Sequence, residues 1–230
     1  MMSRINISNE ELILKIDDEN LNFKKGKRGD IEFFYLWDYH PLYKKKKKDE
    51  NGIKHDIKCY NEKFDYISEL LLRLKNNDEK AILYLKYVLL NKIKALILKH
   101  NVLMNSISVV IPSSDSEKKR TPMDDIVLLI CSFLNETFYD KLNLKYYFNA
   151  LNRHTSIKKL AYGGNRSEET HLLSISCNLK FKEDECIILF DDIVTTGNSM
   201  SACCKILKKC GAKNILSIAL AQTSKDSESS

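Results

Sequence analysis

Short apolar runs in this chain are separated by polar turns, with amphipathic stretches between them. Residues 107–111 form an apolar run that Pro112 ends; a polar loop follows over Ser113 to Thr121, then a helical pattern over Met123 to Leu134. Lys145 to Asn149 is short and aromatic and reads as the next strand. Ile187 to Phe190 lacks polar alternation, as expected of a strand covered on both faces in a parallel sheet. Between Ser199 and Cys210, Met200, Cys203, Ile206 and Leu207 recur at three- and four-residue spacings, lysines take other positions, and Gly211 stands where a helix C-cap belongs. Asn214 to Ala221 is a further buried strand. Strands alternating with helices predict an α/β fold with a parallel sheet and helices on both faces.

Ahead of this core, Ile31 to Tyr39 concentrates Phe33, Phe34, Tyr35, Trp37 and Tyr39, the composition of a strand that packs hard, and ends at His40-Pro41. Two helices follow. Glu62 to Asn76 sets Phe64, Ile67, Leu70 and Leu71 along one face, and Asp78 to His100 is apolar over most of its turns, which predicts burial. The expected division is an amino-terminal extension over 1–101, serving as a hood or docking element, a core over 102–224, and a disordered tail over 225–230. No internal repeat is visible.

The chemistry concentrates between Cys186 and Met200. Here the apolar run ends in Asp191 and Asp192, and Ile193 and Val194 lead into Thr195, Thr196, Gly197, Asn198 and Ser199 at the start of the amphipathic run. Ligands of parallel sheets bind at the carboxyl ends of the strands, where these acids sit. Neighbouring carboxylates on an extended segment point to opposite sides, so one can face sugar hydroxyls or a hydrated metal while the other braces the loop or takes a second hydroxyl. Thr195, Thr196 and Gly197 offer successive N–H groups and Ser199 adds a hydroxyl, forming a phosphate nest. The plainer alternative is an ordinary strand–helix corner in which the acid caps the helix and the threonines satisfy loop N–H groups. An Asp-x-Asp phosphatase site is not formed, because Ile193 occupies the second acid's place, and the seven glycines supply neither a Walker A loop nor a dinucleotide-binding turn.

At these residues the chain resembles the type I phosphoribosyltransferases. Their motif runs four or five apolar residues, Asp-Asp, two apolar residues, Thr-Thr or Thr-Ser, Gly, any residue, and Ser or Thr, and every defining position is filled. With compatible strand and helix patterns the resemblance spans roughly residues 102 to 224. It implies a parallel-sheet phosphoribosyltransferase core carrying the amino-terminal extension, and a ligand of phosphoribosyl pyrophosphate or a related ribose phosphate with Mg²⁺ as cofactor. Asp191 and Asp192 would contact the ribose hydroxyls and the metal, and the loop Val194 to Ser199 would grip the 5′-phosphate. The loop after the first core strand would bind pyrophosphate, with Ser113, Ser114 and Arg120 as candidates beside Lys118 and Lys119. The polar stretch Leu151 to Thr170 stands where the family carries a mobile loop that closes over the site. Gly163-Gly164 would be its hinge, and Lys159 or Arg166 would reach the leaving pyrophosphate as catalytic groups alongside Asp191 and Asp192. A flexible hairpin without a catalytic group is the plainer reading of that stretch.

Among subfamilies the chain is nearest in look to the ComF-like and GntX-like phosphoribosyltransferases. It departs from them at His171, where an asparagine is expected, and it lacks their amino-terminal zinc-binding cysteines. The reaction implied is transfer of the phosphoribosyl group to a nitrogenous acceptor with release of pyrophosphate. A second reading is a non-catalytic ribose-phosphate sensor or effector acting with a partner, as in bacterial defence or toxin-like systems. A homodimer or a protein partner through the amino-terminal extension is a further expectation.

Composition changes this picture little. The 230 residues suffice for a sizeable core, and 43% hydrophobic with 30% charged residues is ordinary for a globular domain. No run approaches a membrane span and the first residues do not pattern as a signal peptide, so a cytoplasmic location is expected. The seven cysteines form no Cys-x2-Cys pair and fit reduced, mostly buried thiols. Abundant Lys, Asn and Ile point to an A- and T-rich genome and a bacterial source. Of the formal charge of +6, the run Lys44 to Lys48 supplies five positive charges, and outside it the chain is nearly balanced. A solvated loop is the simplest account of that run; nucleic-acid attraction there is the weaker alternative.

Overall fold

The computed structural model describes residues 23–45, 58–99, 101–138, 141–157 and 166–224. Its centre is a six-stranded sheet built from β1 (Lys24–Arg28), β2 (Ile31–Tyr39), β5 (Ser106–Val110), β6 (Lys145–Tyr146), β9 (Cys186–Val194) and β10 (Asn214–Thr223), in the order β1-β2-β10-β9-β5-β6. Every neighbouring pair is parallel except β1 with β2, which form an antiparallel hairpin. Two small ribbons complete the strands, β3 (Tyr43–Lys45) with β4 (Lys58–Tyr60), and β7 (Leu151–Arg153) with β8 (Ile175–Cys177).

Apolar runs without alternation become central strands, since both faces of β5 and of β9 up to Phe190 are buried. On one face, Ile188 and Phe190 pack with α1 (Tyr66–Lys75), α2 (Glu79–Lys99) and α3 (Pro122–Thr137). On the other, Ile187 and Leu189 pack against α5 (Asn198–Lys209), which follows α4 (Glu168–Ser174) in the chain. The result is a mixed α/β fold with a mostly parallel sheet between two helical layers, as the patterning predicts.

The aromatic strand lies at the predicted residues, and α1 and α2 follow it. That strand is built into the core sheet itself, with Phe34 opposite Ile218 and Tyr39 opposite Thr223 in parallel register. Two expectations shift. The strand at 145–149 shortens to Lys145–Tyr146, because Tyr147 onward turns toward the β7 ribbon. The polar stretch 151–170 is not one loop: Leu151–Arg153 pairs antiparallel with Ile175–Cys177, and Ser167 caps α4 by accepting from the Thr170 N–H at 3.2 Å. Gly163-Gly164 and Lys159 lie outside the described residues, as do residues 46–48 of the lysine run and the tail 225–230. Cys131, Cys177, Cys186, Cys203, Cys204 and Cys210 are free thiols; Cys131, Cys186 and Cys203 are buried and the other three half-buried. No helix among the described residues is long and apolar enough to cross a membrane.

Candidate functional site

The site arises because β9 is longer than its neighbour β5. Pairing with β5 ends at Val110 opposite Phe190, with one more bond from the Ile111 N–H to the Phe190 carbonyl at 2.9 Å, whereas pairing with β10 continues to Val194 opposite Gln222. Pro112 has no N–H to give and turns the chain away. Residues 191–194 thus keep one open edge, and a cleft of about 670 Å³ opens over it.

Along that edge the carboxylates satisfy the backbone. The Asp192 N–H donates to Asp191 Oδ1 at 2.9 Å and the Ile193 N–H donates to Asp192 Oδ1 at 2.6 Å. Burial, then the neighbouring Asp192 carboxylate, hold the Asp191 carboxyl well above the usual carboxylate range, with Lys75 opposing them. Asp192 Oδ2 lies 3.6 Å from Lys75 Nζ at the end of α1. Burial works against the Lys75 charge, but Asp192, Tyr39 and Asp191 outweigh it and hold the ammonium above its ordinary range. Tyr39, the last residue of β2, lines the same wall, and burial raises its phenol.

The turn into α5 forms the floor. Gly197, at φ 82, is the N-cap in the left-handed region and itself offers no side chain to cap the first N–H groups of α5. A Cβ at that position would stand 2.5 Å from Arg28 Cβ, so the β1 end packs directly beneath the turn. Thr195 Oγ1 is 3.1 Å from Thr223 Oγ1 at the end of β10, and the Asn198 N–H donates to Thr196 Oγ1 at 3.4 Å. Val194 to Gly197 and Ser199 line the cleft; Asn198 does not, its side-chain amide donating to the Arg166 carbonyl at 2.8 Å. Arg166 does line the cleft, and its Nε is buried with no hydrogen-bond partner among the described residues.

Of the pyrophosphate candidates, Ser113 and Ser114 reach the cleft, as does Lys118. Arg120 does not line it. Its guanidinium pairs with Asp125 in the first turn of α3 and lies 6.0 Å from the centre of the Phe148 ring. The loop is braced from the far side, where Arg153 Nε donates to the Ser113 carbonyl at 2.5 Å and the Ile157 N–H to the Ser114 carbonyl at 2.9 Å.

Four residues of this region were not singled out for the site by their sequence positions: Tyr39, Lys75, Arg153 and His171. Lys75 is one of many surface-patterned lysines, and only the packing of α1 beside β9 brings it to Asp192. Arg153 sits in a polar stretch whose only local signal is its basic character, and His171, just after that stretch, stands out in the sequence only as a departure from the resembled pattern.

The site combines an acid pair at a strand end, a helix start on a left-handed glycine, hydroxyls and a half-buried guanidinium on one cleft. Residues 152–229 match the family model for the phosphoribosyl transferase domain. That domain takes in β7 to β10, hence the acid pair, the Gly197 turn, Arg166 and His171, and it leaves the Ser113 loop and the extension outside the matched stretch. The match supports the type I phosphoribosyltransferase family, and phosphoribosyl transfer as the general activity. No curated protein matches the chain.

The donor set suits Mg²⁺, which keeps several waters and takes one or two carboxylates together with substrate phosphates. Asp191 and Asp192 are such a pair, and the crowding of their charges is what a cation would relieve. Among the described residues no group of three or more His, Cys, Asp and Glu side chains is gathered to hold a metal through protein alone.

Proposed function

We propose that this protein binds phosphoribosyl pyrophosphate with Mg²⁺ in the cleft over β9 and transfers the phosphoribosyl group to a nitrogenous acceptor in the cytoplasm, releasing pyrophosphate. The observation that carries the reading is the convergence of Asp191, Asp192 and the Gly197 turn on one cleft. The carboxylates accept from the ribose hydroxyls, fixing the sugar ring. The N–H groups from Thr195 to Ser199, at the positive end of α5, hold the 5′-phosphate without a charged side chain. Ser113, Ser114 and Arg166 face the pyrophosphate as it departs; Lys159, the other candidate, lies outside the described residues. Mg²⁺, when bound to Asp191 and Asp192, neutralises charge on the pyrophosphate. Catalysis then rests on positioning and on charge stabilisation. In subtype we read the chain as ComF-like or GntX-like, on the basic, polar stretch ahead of the motif.

Calorimetric titration with phosphoribosyl pyrophosphate and Mg²⁺ tests the reading. The wild type is expected to bind and the Asp191→Asn, Asp192→Asn double variant to lose binding with its fold intact. Equal binding by both would sink the assignment. Screening nitrogenous acceptors for pyrophosphate release then separates a transferase from a sensor, which would bind and release nothing.

A further inference from the structure

Arg153 is 2% exposed, and none of its partners is a carboxylate. Its three nitrogens are all engaged. Nε donates to the Ser113 carbonyl at 2.5 Å, Nη1 to Ser174 Oγ at 2.5 Å, and Nη2 lies 3.1 Å from His171 Nδ1. A guanidinium has donors only, so His171 Nδ1 must be the acceptor of that bond, and a neutral ring must then carry its proton on Nε2. His171 is itself 2% exposed yet lines the cleft, beside Arg166, and no partner for Nε2 stands among the described residues. A ring held with its proton on Nε2 at the wall of the cleft can give that proton to an acceptor on a ligand.

We propose that His171 is a ligand-binding residue of the cleft, held by Arg153 as the neutral tautomer with its proton on Nε2, and that it donates this hydrogen bond to a phosphate oxygen of the bound sugar phosphate. Arg153 is the positioning residue: it touches no ligand, but one guanidinium joins the Ser113 loop, α4 and the His171 ring. The inference rests on the functional reading above for its ligand, whereas the tautomer rests on the geometry alone.

The surroundings favour the neutral ring. Facing it are Arg153 on β7 and Arg166 ahead of α4; farther out, Glu168 is taken up by Ser201 and Lys205 of α5. Cys203 on α5 adds no negative charge, since burial pushes its thiol well up. Burial, then Arg153 and Arg166, lower the His171 pKa to about 4. The ring therefore donates as a neutral group throughout the neutral range.

Long-range nitrogen–proton NMR correlations on the histidine-labelled wild type test the tautomer without ligand. An Nε2–H ring that stays neutral down to pH 5 is expected; an Nδ1–H ring, or one titrating at the ordinary value, overturns the proposal. In Arg153→Met the constraint is gone and mixed tautomers are expected. Arg153→Lys, which keeps a donor-only cation facing Nδ1, is expected to retain the Nε2–H ring, and mixed tautomers in it while it is folded would overturn the role of that donor. Calorimetry tests the contact. His171→Phe is expected to bind phosphoribosyl pyrophosphate at least tenfold more weakly and His171→Gln, which keeps a side-chain donor, to recover most of the loss. Undiminished affinity in His171→Phe overturns the assignment of His171 alone, whereas failure of the wild type to bind overturns the functional reading and the ligand contact with it. A loss shared by ribose 5-phosphate places the contact at the 5′-phosphate; a loss confined to phosphoribosyl pyrophosphate places it at the pyrophosphate.

Discussion

At Gly197 a single missing Cβ serves both conformation and space. Its φ of 82 lies where other residues are strained, and an added carbon would meet Arg28 Cβ at 2.5 Å in a contact that involves the side chain closest to the backbone. Gly197→Ala is expected to lower stability by roughly 1 to 3 kcal/mol, combining the left-handed backbone with the collision. It should weaken ribose 5-phosphate binding at least tenfold, because the turn can relieve the contact only by moving its N–H groups. Urea unfolding reads the first effect and calorimetry the second; a variant with wild-type affinity would remove the turn from the phosphate site. Of the residues at the site, the acids and the turn were legible in the sequence because they are consecutive. Lys75 was not, since a lysine at a helix end gives no sign of the strand it will meet.

At the scale of elements, boundaries follow from local chemistry where that chemistry is strong. Thr121 caps α3 in a reciprocal box in which its N–H donates to Asp124 Oδ2 at 2.6 Å and its Oγ1 accepts from the Asp124 N–H at 3.4 Å. Thr121→Ala is expected to cost about 1 kcal/mol in chemical denaturation. The β1–β2 hairpin is fitted more tightly: Gly26 stands opposite Phe33, and a Cβ there would lie 2.5 Å from the Phe33 ring and 2.6 Å from Gln222 Oε1. Phe33 is 1% exposed and has nowhere to go, so Gly26→Ala is expected to destabilise by about 1 to 3 kcal/mol through overpacking, again read by denaturant midpoint. An unchanged midpoint would mean that the hairpin shifts freely against β10. The long amphipathic helices and the aromatic strand stood out in the sequence because each carries its own periodicity. β7 and β8 did not, since a three-residue strand has no period to read and its partner lies on the far side of α4.

For the whole molecule, the network around His171 ties stability to pH. Its folded pKa, about 4, lies below the ordinary 6.5, so between those values the unfolded chain binds the extra proton. The stabilisation is complete above about pH 6.5 and is lost as pH falls toward 4; at pH 5 the loss from this group is about 2 kcal/mol. The urea midpoint of wild type is expected to fall between pH 7 and pH 5, and His171→Gln to fall less; equal slopes would show that the ring is not shielded. The strand, acid pair, glycine turn and helix from Cys186 to Lys209, together with the alternation that makes an α/β sheet, follow from the chain alone, because these signals lie in neighbouring residues and obey local periods. Long-range packing sets the aromatic strand beside β10, brings Lys75 to Asp192, and lets Arg153 join Ser113 to His171. Each of those pairings links residues far apart in the chain, and no local period or cap encodes which distant partner a buried charge will find.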